Sequence, residues 1–182
     1  MIVQLGQRSR HGDVDALLSE CHLRIRRFVS LARRIPTQPQ ARAEEVKDVA
    51  AQIVRYFTLG FPLHLLDEDE LVMPRLIGQD RELDLALARM HADHGEHAGH
   101  VARVVELCVA LEREPHALAT LSTELAGAAA ALHAVIEPHL LLEERVIFPA
   151  LRLLPPPVRD EIRAGMQARR QDGQFGATRL PG

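Results

Sequence analysis

The sequence predicts an all-α protein, an antiparallel up-down four-helix bundle with a short extra C-terminal helix. Three observations lead there. The 47% apolar content rests on Leu and Ala, with 3% aromatic residues and no Trp, a composition that favours helix over sheet. Apolar residues recur by threes and fours along four long stretches, and none alternates as a strand would. The joints between stretches are short and hold Pro or Gly, which makes sequential helices neighbours.

Residues 1–12 carry no strong pattern and read as an N-terminal tail. Asp13 is a suitable N-cap for a first helix reaching about Ile35. Leu18, His22, Ile25, Val29 and Ala32 form its inward stripe, and Arg24, Arg26, Arg27 and Arg33 its solvated side. Pro36 and Pro39 end it. A second helix is expected from about Ala41 to Ile77, with Val46, Val49, Ile53, Phe57, Phe61, His64 and Glu68 inward. Gly60 and Pro62 predict a bend in it, and Pro74 a distorted last turn. The third helix is expected over 80–113, with Leu83, Leu87, Met90, His94, Val101, Val104 and Cys108 on its core face. The fourth runs from about His116 to Leu154. Its inward residues are Leu121, Leu125, Ala128, Leu132, Val135, His139, Glu143, Val146 and Ala150, with distortions expected at Pro138 and Pro149. The bundle domain is thus 13–154. Residues 155–182 comprise a Pro-rich stop, a short helix over about 158–170 and a loose tail.

One stretch occurs twice. His64-Leu-Leu-Asp-Glu68-Asp-Glu-Leu-Val-Met-Pro74-Arg-Leu76 matches His139-Leu-Leu-Leu-Glu143-Glu-Arg-Val-Ile-Phe-Pro149-Ala-Leu151 at six of thirteen positions. A His and a Glu four apart share one helical face. Two such pairs facing each other would bring two imidazoles and two carboxylates together, as bundle metal sites do. A carboxylate on an apolar stripe rarely stays buried without a partner, and here it occurs twice at the same offset from a His. No Arg lies on the expected core stripes to neutralise either Glu.

The two remaining helices each offer a further His. His22 precedes His64 by 42 residues, and His94 precedes His139 by 45. His94 has the most apolar flanks, Leu87, Met90, Val101 and Val104. His97 and His91 are the alternatives, and His97 fits the 42-residue spacing better. Asp67 is a candidate acceptor behind a ligand imidazole, whereas Asp69 and Glu70 read as a solvated face. His11, His116 and His133 read as ordinary residues. The metal candidates are therefore His22, His64, Glu68, His94, His139 and Glu143. Imidazole and carboxylate without thiolate suit iron or manganese, with zinc as a further option.

The remaining composition narrows the classes. A net charge of −3 gives no reason to expect nucleic acid. No apolar run reaches the roughly 18 to 20 residues of a membrane span, and the N-terminus lacks the order of a secretory signal. No membrane partner and a cytoplasmic location are the expectation. Cys21 and Cys108 read as buried reduced thiols.

The order His … His-x3-Glu … His … His-x3-Glu, with Pro-x-Leu after each Glu, resembles the hemerythrin-like family, the HHE cation-binding domain. The resemblance spans about residues 13–154. It implies a four-helix bundle with two iron ions, an oxo- or hydroxo-bridged non-haem di-iron centre. His22, His64, His94 and His139 would be terminal ligands, and Glu68 and Glu143 bridges. The family's oxygen carriers have His-x3-His on one helix, whereas Glu closes both copies here. The pattern is closer to the branch that includes iron–sulfur-cluster repair proteins. Those carry a cysteine-containing N-terminal domain, for which the residues before Asp13 leave no room. The implied function is a di-iron protein handling dioxygen, peroxide or nitric oxide in sensing or stress protection, related to iron-centre repair. Two other readings stand beside it. One is a di-iron oxidoreductase of peroxidase or nitric oxide reductase type, for which Tyr56 is the only tyrosine on offer. The other is a non-catalytic helical module with zinc or no metal. Oligomeric state is not readable from the sequence.

Overall fold

A computed structural model describes residues 13–172, which form helices with no strand among the described residues. The expected tails at 1–12 and 173–182 lie outside them. Helix α1 (Val14–Arg34) starts at Asp13, whose carboxylate accepts from the Val14 N–H at 2.9 Å. The second long segment is α2 (Ala43–Arg55), α3 (Phe61–Asp67) and α4 (Met73–Leu76), joined end to end. Gly78 takes a left-handed φ of 85°, a conformation that suits glycine. It turns the chain into α5 (Arg81–Arg113), whose N-cap Asp80 accepts from the backbone of Glu82 and Leu83. The fourth segment is α6 (Leu118–Leu142) and α7 (Phe148–Leu153).

The joints inside the two composite segments have one cause. Wide π-helical turns occupy Tyr56–Gly60, Glu68–Val72 and Glu143–Ile147. Each is followed two residues on by a proline: Pro62, Pro74 and Pro149. Proline has no N–H for the residue four back, and its ring collides with that carbonyl. A π turn absorbs the misfit without breaking the helix. Two of these turns begin at the two repeated glutamates. Pro138, where a distortion was also expected, lies inside an unbroken α6.

Helix α5 packs along α2 and α6, and α1 packs on α6 and on α2. The core they enclose has two apolar clusters. One holds Ile25, Ile53, Phe61, Leu125, Leu132 and Leu140. The other holds Leu18, Val72, Leu87, Met90, Ile147 and Leu151. Between them lie the buried polar residues. On each long segment the chain leaves one cluster, passes the His or His-Glu position, and enters the other.

The inward stripes of α1 and α2 hold, although Val49 is only half-buried beside a buried Ala50. Along α6 and the turn and helix after it, Leu125, Leu132, His139 and Glu143 are buried as expected, while the rest of the stripe is displaced, mostly by one residue. Leu121, Ala128, Val135, Val146 and Ala150 are half-buried, while Ala129, Ile136, Leu140, Ile147 and Leu151 are buried. This stretch is apolar nearly all round, so spacing alone does not single out a face.

The last described helix, α8 (Pro156–Asp172), begins inside the Pro155–Pro157 run that was expected only as a stop. Proline is tolerated in a first helical turn, where its missing N–H would have no partner. Ile162 and Met166 of α8 enter the second core cluster. Ala43–Leu76 and Pro115–Leu153 are long and apolar enough by composition to cross a bilayer. This corrects the expectation that no stretch is. Both place buried His and Glu residues against other helices, as the core helices of a folded domain also do.

Candidate metal centre

All six candidate residues are buried: His22, His64, Glu68, His94, His139 and Glu143. They come together as two groups. His22 and His64 meet Glu68 and Glu143 in one, and His94 and His139 meet the same two glutamates in the other. Within each group the donor atoms lie within 4.8 Å of one another. Each pair of rings meets edge to face, with centroids 5.3 Å apart for His22–His64 and 5.1 Å for His94–His139.

The carboxylates stand between the two groups. Glu143 places Oε2 2.9 Å from Nε2 of His22 and Oε1 2.8 Å from Nε2 of His139. Glu68 places Oε1 3.4 Å from Nε2 of His64 and Oε2 3.4 Å from Nε2 of His94. Each glutamate thus turns one oxygen to each group, which is the arrangement a bridging carboxylate needs. Despite these approaches, all four Nε2 atoms and all four carboxylate oxygens lack a hydrogen-bond partner. Buried polar atoms are normally paired. Eight orphaned N and O donors gathered in two groups could hold metal.

Charge in the metal-free site is divided unevenly. Burial pushes the Glu68 carboxyl well up, and the charge of Glu143 pushes it further. Burial would also raise Glu143, but His139 and His22 outweigh it and hold that carboxyl below its usual range. Burial lowers His64 to about 3 despite Glu143, and it lowers His94 against the pull of Asp69. Their neutral rings keep a lone pair for a metal.

The outer nitrogen of His22 is hydrogen-bonded, and those of His94 and His139 lie near carboxylates, in each case a residue that spacing did not single out. Glu144 accepts from Nδ1 of His22 at 2.9 Å and from Nη1 of Arg26 at 2.6 Å. Arg26 also binds Glu137, so it is not the solvated residue expected on α1. Asp69 Oδ1 lies 3.1 Å from Nδ1 of His94, and Asp93 Oδ2 lies 3.5 Å from Nδ1 of His139. Such acceptors fix which ring nitrogen faces a metal. The signal was present: an acidic residue follows each repeated glutamate, Asp69 after Glu68 and Glu144 after Glu143.

Asp67 does not hold an imidazole as expected. It is fully buried and lies 2.7 Å from Arg170 and 3.4 Å from Arg169, both on α8. Of the three candidates on α5, His94 joins a donor group with both glutamates. His97 is buried edge-on to His139 at 4.6 Å, outside both groups. His91 is exposed and bonded to Asp69. Tyr56 stacks on Phe28 at 4.1 Å, and burial raises its hydroxyl above the ordinary range, which suits packing better than proton donation. Both cysteines are free, Cys108 buried and Cys21 half-buried.

Residues 13–151 match the model of the hemerythrin HHE cation binding domain. No curated protein matches the chain.

Proposed function

The chain belongs to the hemerythrin HHE cation-binding family, and on that premise we propose a non-haem di-iron protein that handles dioxygen, peroxide or nitric oxide in sensing or stress protection. The observation that carries this reading is the pair of glutamates, each turning one oxygen to each imidazole pair. His22, His64, Glu68 and Glu143 would hold one ion, and His94, His139, Glu68 and Glu143 the other. A thiolate-free set of N and O donors with two shared carboxylates favours iron over structural zinc. Two irons held there would supply electron transfer and coordination positions for a small ligand.

The chain's own residues prepare the site. Burial and the charge of Glu143 favour the neutral form of the Glu68 carboxyl, whereas His139 and His22 favour the ionised form of Glu143. Phe148 lies 4.9 Å from the His22 ring and Phe61 lies 6.4 Å from the His64 ring, and these apolar neighbours limit water around the donors. The architecture proposed is an antiparallel four-helix bundle closed by α8. The order of the two core clusters supports it, because that order reverses from each long segment to the next.

The test is iron content and optical spectrum of the chain purified from iron-supplemented medium, under air, nitrogen and nitric oxide. The expected result is two irons per chain and a charge-transfer band that responds to the gas. Fewer than about half an iron per chain, with a melting temperature unmoved by Fe(II), would overturn the reading, since a ligand of the folded state must raise stability.

A further inference from the structure

The duplicated halves hold their outer nitrogens in different ways. Glu144 and Asp69 occupy matching places, one residue after each repeated glutamate. Glu144 is shared between His22 and the guanidinium of Arg26. Asp69 is shared between His94 and the imidazole of His91. A guanidinium carries a fixed positive charge and no lone pair to give. A neutral imidazole offers a lone pair and is a common metal ligand. The difference is also one of access, because the His91 side chain is 61% exposed and that of Arg26 29%.

A second observation points the same way. Nδ1 of His94 is buried and, although 3.1 Å from Asp69, has no aligned hydrogen-bond partner. The Asp69 oxygen is instead bonded to His91 at 3.0 Å. One donor atom from each of Asp69, His91 and His94 lies within 4.8 Å of the others.

We propose that Asp69, His91 and Nδ1 of His94 form a third cation site, through which a divalent transition-metal ion is loaded into the paired centre. This rests on the paired-metal reading above. Two imidazole nitrogens and one carboxylate oxygen, completed by water, suit first-row divalent ions. His94 belongs to both places, with Nδ1 outward and Nε2 facing Glu68. A neutral imidazole has one lone pair, so the ring serves one ion at a time. It holds the outer ion through Nδ1 while Nε2 carries the hydrogen. It would serve the inner ion once Nε2 has given its hydrogen to Glu68 or water and Nδ1 has taken one from water, with the Asp69 carboxylate 3.1 Å away to accept its hydrogen bond. The outer site is therefore a station on the way in. The Glu144 side of the centre has no equivalent, since the Arg26 guanidinium bonded to Glu144 repels a cation.

The test uses cobalt(II) alone as probe, mixed with the metal-free full-length chain and followed by stopped-flow absorbance. His91→Ala is expected to slow uptake, because it removes one of the site's two imidazole ligands while leaving the Asp69 charge in place. In a second arm, Glu68→Gln/Glu143→Gln removes the inner bridges and is expected to retain one bound cobalt(II). Adding His91→Ala to that variant is expected to abolish it. Equal uptake rates for wild type and His91→Ala would overturn the proposal. So would binding in the double variant that ignores His91. If the wild-type chain takes up no cobalt(II) and no iron, the paired-centre reading itself falls. If the double variant does not fold, the kinetic arm decides alone.

Discussion

Glu143 Oε2 lies 2.9 Å from Nε2 of His22, although the two residues belong to opposite halves of the duplicated sequence. The other Glu143 oxygen faces His139 of its own half at 2.8 Å. One residue thus ties the two imidazole pairs together, and Glu68 does the same from the opposite half. Removing either should cost the pairing before it costs the fold, because the apolar clusters on both sides remain. Glu143→Ala and Glu68→Ala are each expected to hold no more than one iron per chain, with helical content kept. Elemental analysis beside circular dichroism checks this. Two irons and an unchanged spectrum in either variant would show that the carboxylates do not bridge.

The next layer out is also testable. Glu144 accepts from Nδ1 of His22 while Arg26 holds it from the other side. Glu144→Ala frees the His22 ring to turn and leaves Arg26 with Glu137 alone. Loss of such an outer partner typically weakens metal binding about 10- to 100-fold. Competition with a chelator of known affinity measures it. Glu144→Gln keeps an acceptor oxygen and should recover much of the affinity, which a mere packing defect would not.

The burial and grouping of the six candidates were legible because they sit on apolar stripes where a polar side chain needs a reason. The helices were legible from the same stripes and from Asp13 and Asp80 at their starts. What was not legible depends on contacts between distant segments. Asp67, Asp69 and Glu70 look alike in sequence. Yet Asp67 is buried against α8, Asp69 faces His91 and His94, and Glu70 pairs with Arg169 at the surface. Arg26 reads as solvated until Glu137 and Glu144 approach it from α6 and the turn that follows. Part of the fourth segment's face was misplaced, with Ala129 and Ile136 buried in place of Ala128 and Val135, because an Ala- and Leu-rich helix has few polar residues to set the register.

The metal-free chain should lose stability as acid is added. Burial lowers His97 to about 4 and His64 to about 3, below the ordinary 6.5. The fold keeps these rings neutral while the unfolded chain protonates them. Their contribution is therefore complete above about pH 6.5 and is lost as pH falls toward 4. Glu68 works the other way: its raised carboxyl keeps its proton in the fold, so acid relieves its cost. Comparing wild type with His97→Leu cancels Glu68. Urea unfolding between pH 7 and 5 should show a flatter pH dependence in the variant. Parallel curves would mean that His97 is protonated equally in both states.

Helix α8 lies beyond the residues that match the family, and a buried ion pair fastens it beside the site. Asp67 is fully buried one residue before Glu68, with Arg170 at 2.7 Å and Arg169 at 3.4 Å. Burial raises the Asp67 carboxyl, and Arg170 and then Arg169 draw it back. Removing one partner of a buried pair costs about 3–5 kcal/mol, because the other charge is left without compensation. Arg170 is 32% exposed and Arg169 remains, so Arg170→Ala should cost less, about 1–3 kcal/mol. Asp67→Asn combined with Arg170→Ala removes the stranded charge and should cost less than Arg170→Ala alone. Both variants lose the same Arg170 packing, so that order isolates the charge effect, whereas a pure packing loss would make the two equal. Ile162 and Met166 anchor α8 independently, so the helix should stay docked in both. Denaturant unfolding of the wild type and these two variants measures the order. No measurable loss for Arg170→Ala would show that the apolar anchors alone hold α8 in place.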